Sequence, residues 1–256
     1  MSILITGASS GFGAAMVKAF VGAGYRVIGV ARRVEKLEAL QQSFPHTQQS
    51  LFQPLFMDIS KPESIQSALA HIAKLPEPFA NIDCLINNAG LALGLQPAHQ
   101  ADFQDWHTMI QTNLVGLSYL THQILPSFVA KKQGYIINIG SIAGNYAYMG
   151  GNVYGATKAF VRQFSLNLRA DLHGTGVRVS NLEPGLVGGS EFSQVRFKGD
   201  EAKAASVYEN TKALCPEDIA NTALWLYQLP PHVNVNTLEI MPTCQSFSPL
   251  AVHREA

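Results

Sequence analysis

Cysteine is scarce in this sequence, with only Cys84, Cys215 and Cys244 among 256 residues. The three lie far apart and form neither a CxxC pair nor a mixed Cys/His spacing, which argues against a disulfide framework and against a zinc site. An odd number of scattered cysteines fits a reducing compartment. The sequence therefore predicts a cytoplasmic protein that binds no metal.

Net charge and long apolar runs are also lacking. Charged residues make up 14% of the chain, and 18 basic side chains balance 18 acidic ones. With this balance the chain has no excess positive charge that would attract nucleic acid or an anionic membrane surface. No apolar run approaches the ~18–20 residues that a membrane span needs. The start of the chain has no basic region typical of a signal peptide. We expect neither nucleic acid nor a membrane as a partner.

Apolar residues, in contrast, make up 47% of the chain and are arranged in short runs that alternate with longer helical periodicity. Such a βαβα rhythm predicts a doubly wound parallel sheet with helices on both faces, within one domain spanning residues 1–256. Seven strands are predicted, at Ser2–Thr6, Arg26–Ala31, Leu51–Met57, Cys84–Asn87, Tyr135–Ile139, Val177–Leu182 and Thr237–Met241.

Helical periodicity fills the gaps between the strands. The predicted helices include Gly13–Ala23, Val34–Gln42, Pro62–Ala73, Phe103–Lys131, Tyr154–Leu172 and Pro216–Tyr227. Residues 185–201 lack clear periodicity and read as a loop. Because they follow the carboxyl end of a predicted strand, they are expected to form a lid over the ligand crevice, the alternative being a solvated insertion.

A glycine motif follows the first predicted strand and opens the first predicted helix. Gly7 permits a sharp turn, Gly11 allows a pyrophosphate to approach the backbone, and Gly13 allows close helix packing. The amides at the helix N-terminus would then face the phosphates, together with Ser9, Ser10 and Phe12. The alternative is a tight turn with no ligand.

The glycines are spaced GxxxGxG, and further motifs follow them in a fixed order. These motifs are Asn87-Asn88-Ala89-Gly90, Ser141, Tyr154-x-x-x-Lys158 and Pro184-Gly185. The ordered set resembles the short-chain dehydrogenase/reductase family over nearly the whole chain. The resemblance implies a Rossmann-type fold and a nicotinamide coenzyme.

The residues after the second strand indicate which coenzyme is bound. Where an NAD enzyme offers a carboxylate to the ribose, this chain has Arg32 and Arg33. Guanidinium groups can bind a 2′-phosphate through paired hydrogen bonds, so the sequence predicts NADP. Arg32 is the stronger candidate, since Arg33 has an alternative interpretation as a solvated residue in the first turn of the next helix.

The resemblance implies further coenzyme contacts. Asp58 and Ile59 would flank the adenine, although Asp58, like Ser60, can also be interpreted as a helix N-cap. Asn88 would contact the ribose, with a purely structural role as the alternative. The remaining contacts are those of Tyr154, Lys158, Pro184, Gly185, Leu186 and Val187.

Tyr154 and Lys158 are four residues apart, so both side chains project from one helix face. A free tyrosine has a pKa of about 10 and is a poor base at neutral pH. An ammonium ~5 Å away would favour the phenolate by roughly 3 kcal/mol before desolvation opposes it. We therefore expect Lys158 to lower the pKa of Tyr154. The family resemblance adds that Lys158 holds the nicotinamide ribose.

Two more residues complete the catalytic set that the resemblance implies. Ser141, just beyond the fifth strand, matches the serine that orients the substrate, and its hydroxyl would donate to the substrate oxygen. Asn113, a polar residue in the middle of a predicted helix, matches a residue that holds water and relays protons to Lys158.

Two longer stretches narrow the resemblance to bacterial NADP-dependent 3-hydroxy acid dehydrogenases, which oxidise L-allo-threonine and serine and reduce malonic semialdehyde. These stretches are residues 150–165 and 183–193, the latter followed by Val195-Arg196-Phe197. Substrates of this kind are small hydroxy acids, such as 3-hydroxyisobutyrate, or semialdehydes, and most carry a carboxylate. We expect Arg196 to bind that carboxylate beside Ser141 and Tyr154, the alternative being a solvated arginine.

Two other functions remain open from the sequence. One is an NADPH-dependent reductase of another carbonyl class, such as a 3-ketoacyl or sugar reductase, which would share every catalytic residue. The other is a non-enzymatic NADP-sensing protein, against which intact Ser141, Tyr154 and Lys158 argue. The resemblance also implies a homotetramer, with an apolar face on residues 160–172 as its contact surface, the alternative being that this face belongs to the core. The C-terminal tail, residues 243–256, either docks on a neighbour or frays.

Overall fold

A computed structural model describes residues 1–246 of the chain. Its seven strands form one sheet in the order β3-β2-β1-β4-β5-β6-β7, and every neighbouring pair is parallel. The strands are β1 Ser2–Thr6, β2 Val27–Ala31, β3 Phe52–Phe56, β4 Ile82–Asn87, β5 Gly134–Ile139, β6 Val177–Pro184 and β7 Thr237–Ile240. The predicted sheet is confirmed. A single domain spanning 1–256 stays a prediction, and residues 247–256 of the predicted tail lie outside the described part.

Ten α-helices connect the strands within the described residues. They are α1 Gly11–Gly22, α2 Val34–Gln42, α3 His46–Gln49, α4 Pro62–Ile72, α5 Phe103–Ile110, α6 Leu117–Lys131, α7 Asn152–Asp171, α8 Phe192–Arg196, α9 Glu201–Ser206 and α10 Pro216–Gln228. Several begin where the sequence supplies a local signal. Pro62 and Pro216 occupy first turns, where a missing backbone N–H costs nothing, and Asp102 caps α5 by accepting from the Gln104 amide.

The sheet is buried on both faces, which explains its continuous apolar strands. In β1, Ile3 and Ile5 pack in a cluster with α1 and α10, whereas Leu4 between them packs in a second cluster with α4 and α6. Side chains alternate between faces along a strand, so covering both faces with helices buries every residue of β1.

The strand order reverses between β1 and β4, which are hydrogen-bonded neighbours although 75 residues separate their ends. From β1 the chain runs outward through β2 and β3, then returns to β4 and runs outward on the other side. Loops leaving β1 and β4 consequently diverge and leave a crevice at the carboxyl ends of the strands. This is the position at which doubly wound sheets bind ligands.

The predicted helix over residues 103–131 is interrupted by a π-helical segment, Gln111–Gly116, between α5 and α6. Asn113 lies in this segment, where its side chain makes tertiary hydrogen bonds. At the segment's end Gly116 packs directly against the carbonyl of Ile59, where a Cβ atom would overlap that oxygen. Periodicity alone does not reveal such an interruption, because it arises from tertiary contacts.

The prediction of an irregular loop over residues 185–201 was wrong in part. The segment contains α8 and ends at the first residue of α9, each little more than one helical turn long. Helices this short leave too few turns for a periodic pattern to be recognised. The segment lies against the crevice, with Ser190, Glu191, Phe192 and Val195 lining it. Residues 185–201 are called the lid below.

Candidate active site

A cleft of about 360 Å³ lies at the carboxyl ends of the central strands. One wall is formed by the loop that follows β1, a second by the ends of β2 and β4, and a third by Tyr154 and Lys158 of α7. The lid closes the remaining side. Residues that the sequence placed in separate motifs therefore meet around one cavity.

The glycine loop between β1 and α1 is held in place by the loop that follows β4. Gly7 and Gly11 have φ angles of +65° and +52°, in the left-handed region that favours glycine. A Cβ atom on Gly7 would lie 2.9 Å from the Ala89 Cα. The Thr6 hydroxyl accepts hydrogen bonds from the amides of Asn88 (3.0 Å) and Ala89 (2.9 Å). These contacts fix the loop close to the cleft.

Arg33 is anchored by hydrogen bonds at the rim of the cleft, although its side chain is partly exposed. Its Nη2 donates hydrogen bonds to Ser10 Oγ (2.9 Å) and Glu191 Oε2 (2.8 Å), and a longer one to Ser9 Oγ (3.4 Å). Arg32 also lines the cleft, and its exposed side chain has no hydrogen-bond partner among residues 1–246. Both guanidinium groups therefore lie at one end of the cavity, although only Arg33 is anchored.

Asp58 and Ile59 line the same end of the cleft. Asp58 Oδ1 accepts from the amide (3.1 Å) and the hydroxyl (2.7 Å) of Ser60, so the carboxylate stabilises a turn. The cap position of α4 is Lys61, and no side chain caps it. The N-cap interpretation of Asp58 and Ser60 is therefore wrong.

The two asparagines at the end of β4 have different roles. Asn87 is buried and donates to Thr121 Oγ1 and Asn138 Oδ1, both at 2.9 Å, which ties β4 to α6 and β5. Asn88 lines the cleft while its Nδ2 donates to the Thr6 carbonyl at 2.8 Å. Asn88 thus supports the glycine loop and faces the cavity.

Some of the predicted coenzyme contacts lie behind the cleft wall. Gly13 is buried against the Gly7 carbonyl, as expected for its packing role. Pro184, the last residue of β6, and the three residues that follow it do not line the cavity, namely Gly185, Leu186 and Val187. The amide of Leu186 donates instead to Gln245 Oε1 at 2.7 Å, and that of Gly185 to the Ile240 carbonyl at 2.8 Å. In this conformation the Gly185 amide is bonded to β7, and the Leu186 amide is bonded to a side chain beyond that strand.

Tyr154, Ser141 and Lys158 meet at the inner end of the cleft. Ser141, which follows β5, lies close enough to the Tyr154 hydroxyl to lower the pKa of that group, and its own hydroxyl accepts from the Ala143 amide at 3.1 Å. Lys158 Nζ donates to the Ile139 carbonyl at 2.8 Å and lies 6.0 Å from the centre of the Tyr154 ring. Tyr154 and Lys158 project from one face of α7 and both line the cleft.

The expectation that Lys158 lowers the pKa of Tyr154 was wrong for this conformation. Burial raises the pKa of Tyr154 to about 12, against smaller opposing effects of the Ser141 hydrogen bond and the Arg196 charge. Burial also lowers the pKa of Lys158 to about 8, since an ammonium loses hydration there. Desolvation of both groups outweighs their attraction, because Lys158 is directed at the Ile139 carbonyl.

Asn113 is almost fully buried and makes three hydrogen bonds. Its Oδ1 accepts from the Leu91 amide (3.0 Å), and its Nδ2 donates to the Leu91 carbonyl (2.9 Å) and to Thr157 Oγ1 (3.1 Å). A Cβ atom on Gly90 would lie 3.2 Å from Asn113 Oδ1 and 3.6 Å from Lys158 Nζ. Asn113 therefore links the loop after β4 to α7 beside Lys158.

Arg196, at the end of α8, approaches Tyr154 from the lid. The carbon at the centre of its guanidinium lies 5.5 Å from the centres of both the Tyr154 and the Tyr148 rings. Its Nη2 donates to the Tyr148 hydroxyl (2.8 Å), and its Nε to the Gly94 carbonyl (3.3 Å). The guanidinium is thus positioned beside the tyrosine and not free in solvent.

A family model described as short chain dehydrogenase matches residues 1–200, the part of the chain that carries the glycine loop, Ser141, Tyr154 and Lys158. The chain belongs to the short-chain dehydrogenase family. The resemblance inferred from the ordered motifs is thereby confirmed.

This short-chain dehydrogenase is similar to characterised relatives along its whole length. It is 54% identical over 254 residues to an NADP-dependent 3-hydroxy acid dehydrogenase of Salmonella typhi, covering 99% of this chain and 100% of that protein. It is 48% identical over 255 residues to a serine 3-dehydrogenase of Rhizobium radiobacter, covering 100% and 99%. Its fold matches the closed form of a serine dehydrogenase complexed with NADP+ with a TM-score of 0.95 and 52% identity over all of both chains.

Several residues around the site of this short-chain dehydrogenase escaped the sequence interpretation. Thr6 anchors the glycine loop, Tyr148 holds Arg196, and Glu191 binds Arg33. The sequence interpretation gave no role to any of the three, although Thr6 adjoins the glycine motif and Glu191 lies within residues 183–193. Glu191 and Arg33 are 158 residues apart in the chain. Only the lid's position against α2 brings these two together, so no local signal could have found the pair.

Proposed function

We propose that this short-chain dehydrogenase oxidises small 3-hydroxy acids with NADP, and reduces the corresponding semialdehydes. The observation that supports this most directly is the position of Tyr154. Tyr154 lines the cleft close to Ser141, and the Arg196 guanidinium lies 5.5 Å from the centre of its ring. A substrate that carries a hydroxyl and a carboxylate has one polar partner for each group in this corner.

The cleft fits a phosphorylated nicotinamide coenzyme. The glycine loop leaves room for a pyrophosphate at the start of α1, where Gly7 and Gly11 adopt conformations that side chains disfavour. Arg32 and Arg33 lie at the far end and offer guanidinium donors to a 2′-phosphate. Asp58 and Ile59 would hold the adenine between these ends, and Asn88 would meet the ribose. The Salmonella typhi relative is NADP-dependent, and the similar serine dehydrogenase structure is complexed with NADP+.

In the proposed chemistry, protein side chains exchange the proton of the substrate hydroxyl, and the coenzyme exchanges the hydride. The bound coenzyme supplies the hydride acceptor for oxidation and the hydride donor for reduction. During oxidation, the Tyr154 oxygen takes the proton of the substrate hydroxyl while the hydride leaves the carbon that bears this hydroxyl. Ser141 donates a hydrogen bond to the substrate oxygen and stabilises the charge that develops on it. Reduction runs the same steps backward, with Tyr154 as the acid.

Lys158 and Asn113 support the proton transfer. Lys158 is proposed to offer hydrogen bonds to the nicotinamide ribose. Asn113 Oδ1 and Lys158 Nζ both face Gly90, so a water held between them would carry protons between Lys158 and solvent. Amide and ammonium groups are suitable partners for such a water.

Arg196 is proposed to bind the substrate carboxylate. Its bonds to Tyr148 and Gly94 use Nη2 and Nε, which leaves Nη1 to donate to an anion. Charge-assisted hydrogen bonds to a guanidinium are about twice as strong as neutral ones. The relatives named for 3-hydroxy acids and for serine act on substrates that carry a carboxylate.

A substrate panel tests the proposal. We expect kcat/KM with NADP+ to be highest for serine, L-allo-threonine or 3-hydroxyisobutyrate, and kcat/KM with NADPH to be high for malonic semialdehyde. Higher values for acetoacetyl thioesters or sugar carbonyls would assign the protein to another reductase class. NADP binding without turnover of any substrate would favour a non-enzymatic sensor.

Assembly and location are also proposed. On α7 the exposed ring of Phe160 stacks on the half-buried ring of Phe164, with 5.5 Å between ring centres. This apolar face supports the proposed homotetramer, and light scattering at micromolar concentration would detect a monomer instead. The three free cysteines fit the proposed cytoplasmic location. No helix within residues 1–246 is long and apolar enough to cross a membrane.

A further inference from the structure

One acidic side chain of the lid lies among the cations at the rim of the cleft. Glu191 Oε2 accepts from Arg33 Nη2 at 2.8 Å, and its Oε1 accepts from Lys36 Nζ at 2.7 Å. These hydrogen bonds, with Arg33 first and Lys36 second, lower the pKa of Glu191 to about 2. The carboxylate is therefore ionised at neutral pH, with a cation on each oxygen.

The Glu191 carboxylate lies where an anionic ligand would bind. The Arg33 nitrogen that binds it also donates to Ser10, in the glycine loop that would hold the coenzyme phosphates. Glu191, Arg32 and Arg33 line the same cavity. A phosphate reaching Arg33 would meet a carboxylate already on that guanidinium, and two anions this close repel each other.

We propose that Glu191 reduces the coenzyme selectivity of this enzyme by competing with the 2′-phosphate of NADP for Arg33 and Lys36. The inference rests on the proposed function, which assigns this end of the cleft to that phosphate. NAD has a hydroxyl in place of the phosphate and can bind while the ion pairs stay intact. Glu191 therefore weakens NADP binding and does not weaken NAD binding.

The solvent exposure of the two ion pairs determines how strongly Glu191 weakens NADP binding. The side chains of Arg33, Lys36 and Glu191 are 41%, 43% and 37% exposed, so water and salt screen both pairs. Exposed ion pairs contribute little individually. The competition therefore changes affinity by a factor of a few and does not block the site.

Replacing the carboxylate by an amide of the same shape tests the competition. In calorimetric titrations, Glu191→Gln should bind NADP+ and adenosine 2′,5′-bisphosphate about threefold to tenfold more tightly than the wild type, consistent with the loss of two exposed ion pairs. Affinities for NAD+ and AMP, which lack the 2′-phosphate, should not fall. The gain for the bisphosphate should diminish in high salt.

Two variants serve as controls. Glu201→Gln removes one negative charge from the same lid, at an exposed position that makes no ion pair among residues 1–246, and should leave all four affinities unchanged. The double variant Glu191→Gln/Arg33→Met tests whether Glu191 acts through Arg33. If Glu191 acts through Arg33, the gain from Glu191→Gln should shrink in that background.

Each contrary result has a distinct meaning. If Glu191→Gln binds the bisphosphate more weakly than the wild type, the carboxylate helps to hold the phosphate, and the inference is overturned. If Glu191→Gln and Glu201→Gln have equal affinities for all four ligands, the inference is also overturned. The proposed function is unaffected by that result as long as the wild type binds NADP+. If the wild type bound neither NADP+ nor the bisphosphate, the proposed function would fail first.

Discussion

The Lys158 ammonium nitrogen lies 6.0 Å from the centre of the Tyr154 ring, on the same face of α7. Both groups are buried, and burial moves their pKa values in opposite directions, to about 12 for the phenol and about 8 for the amine. Each shift favours the neutral form, because both charged forms lose hydration. At neutral pH the phenol is therefore uncharged, and the ammonium loses its charge slightly above neutrality.

Lys158→Met should reveal the cost of burying the ammonium. The folded state of the wild type releases this proton at about pH 8 and the unfolded state near 10.5, so wild-type stability gains from Lys158 as pH rises through that window and lacks this gain below it. The free energy of unfolding of the wild type minus that of the variant should rise by up to about 3 kcal/mol between pH 8 and 10.5.

Denaturant unfolding at a series of pH values measures this difference. Lys74→Met changes an exposed lysine and serves as the control, with a difference from wild type that should not vary with pH over the same range. A flat difference for Lys158→Met would show that the folded state keeps the ammonium charged throughout.

Tyr154→Phe should retain the fold and lose the chemistry. The phenyl ring keeps its packing against Phe192, whose ring centre lies 5.9 Å away, but it has no proton to exchange. We expect kcat/KM for hydroxy acid oxidation to fall by about 10²–10⁴. A variant with an unchanged melting temperature and more than half of the wild-type activity would remove Tyr154 from the reaction.

The pH profile of the wild type gives a second test of Tyr154. Because burial raises its pKa to about 12, the phenol is protonated at neutral pH. Oxidation, which needs the base form, should accelerate as pH increases from 7 to 10, whereas reduction, which needs the acid form, should not. Parallel profiles in the two directions would contradict the assignment.

Arg196→Ala should raise KM for the hydroxy acid by about tenfold or more, because a charge-assisted hydrogen bond is lost. Tyr148→Phe removes only the 2.8 Å bond that orients the guanidinium, so its KM should rise less. Dissociation constants for NADP+ should be unchanged in both variants, since neither residue lines the coenzyme cleft. Wild-type kinetics for Arg196→Ala would exclude it from substrate binding.

Asn113→Ala should lower the free energy of unfolding of the protein and also lower its turnover rate. The substitution leaves the carbonyl and amide of Leu91 without their partner and removes the donor to Thr157. Unsatisfied buried groups of this kind cost about 2–3 kcal/mol in the free energy of unfolding. Asn167→Ala, at an exposed site on α7, is the control and should change stability by less than about 0.5 kcal/mol.

Much of the site was predictable because its motifs are local. The turn at Gly7, the one-turn spacing of Tyr154 and Lys158, and the position of Ser141 after a strand each depend on a few consecutive residues. Parallel strands then bring their carboxyl ends to one edge, which places these motifs around a common crevice. The seven strands were found for the same reason, since apolar runs bounded by glycine or polar residues mark strands buried on both faces.

The sequence alone determined the sheet, the glycine loop and the presence of Ser141, Tyr154 and Lys158, because each depends on backbone periodicity or on short spacings. Only the tertiary structure decided which groups they face. It set the pKa values of Tyr154 and Lys158 through burial, placed Asn113 in a π-helical segment, and paired Glu191 of the lid with Arg33. Desolvation and contacts between distant residues depend on how the elements pack, and no local pattern encodes them.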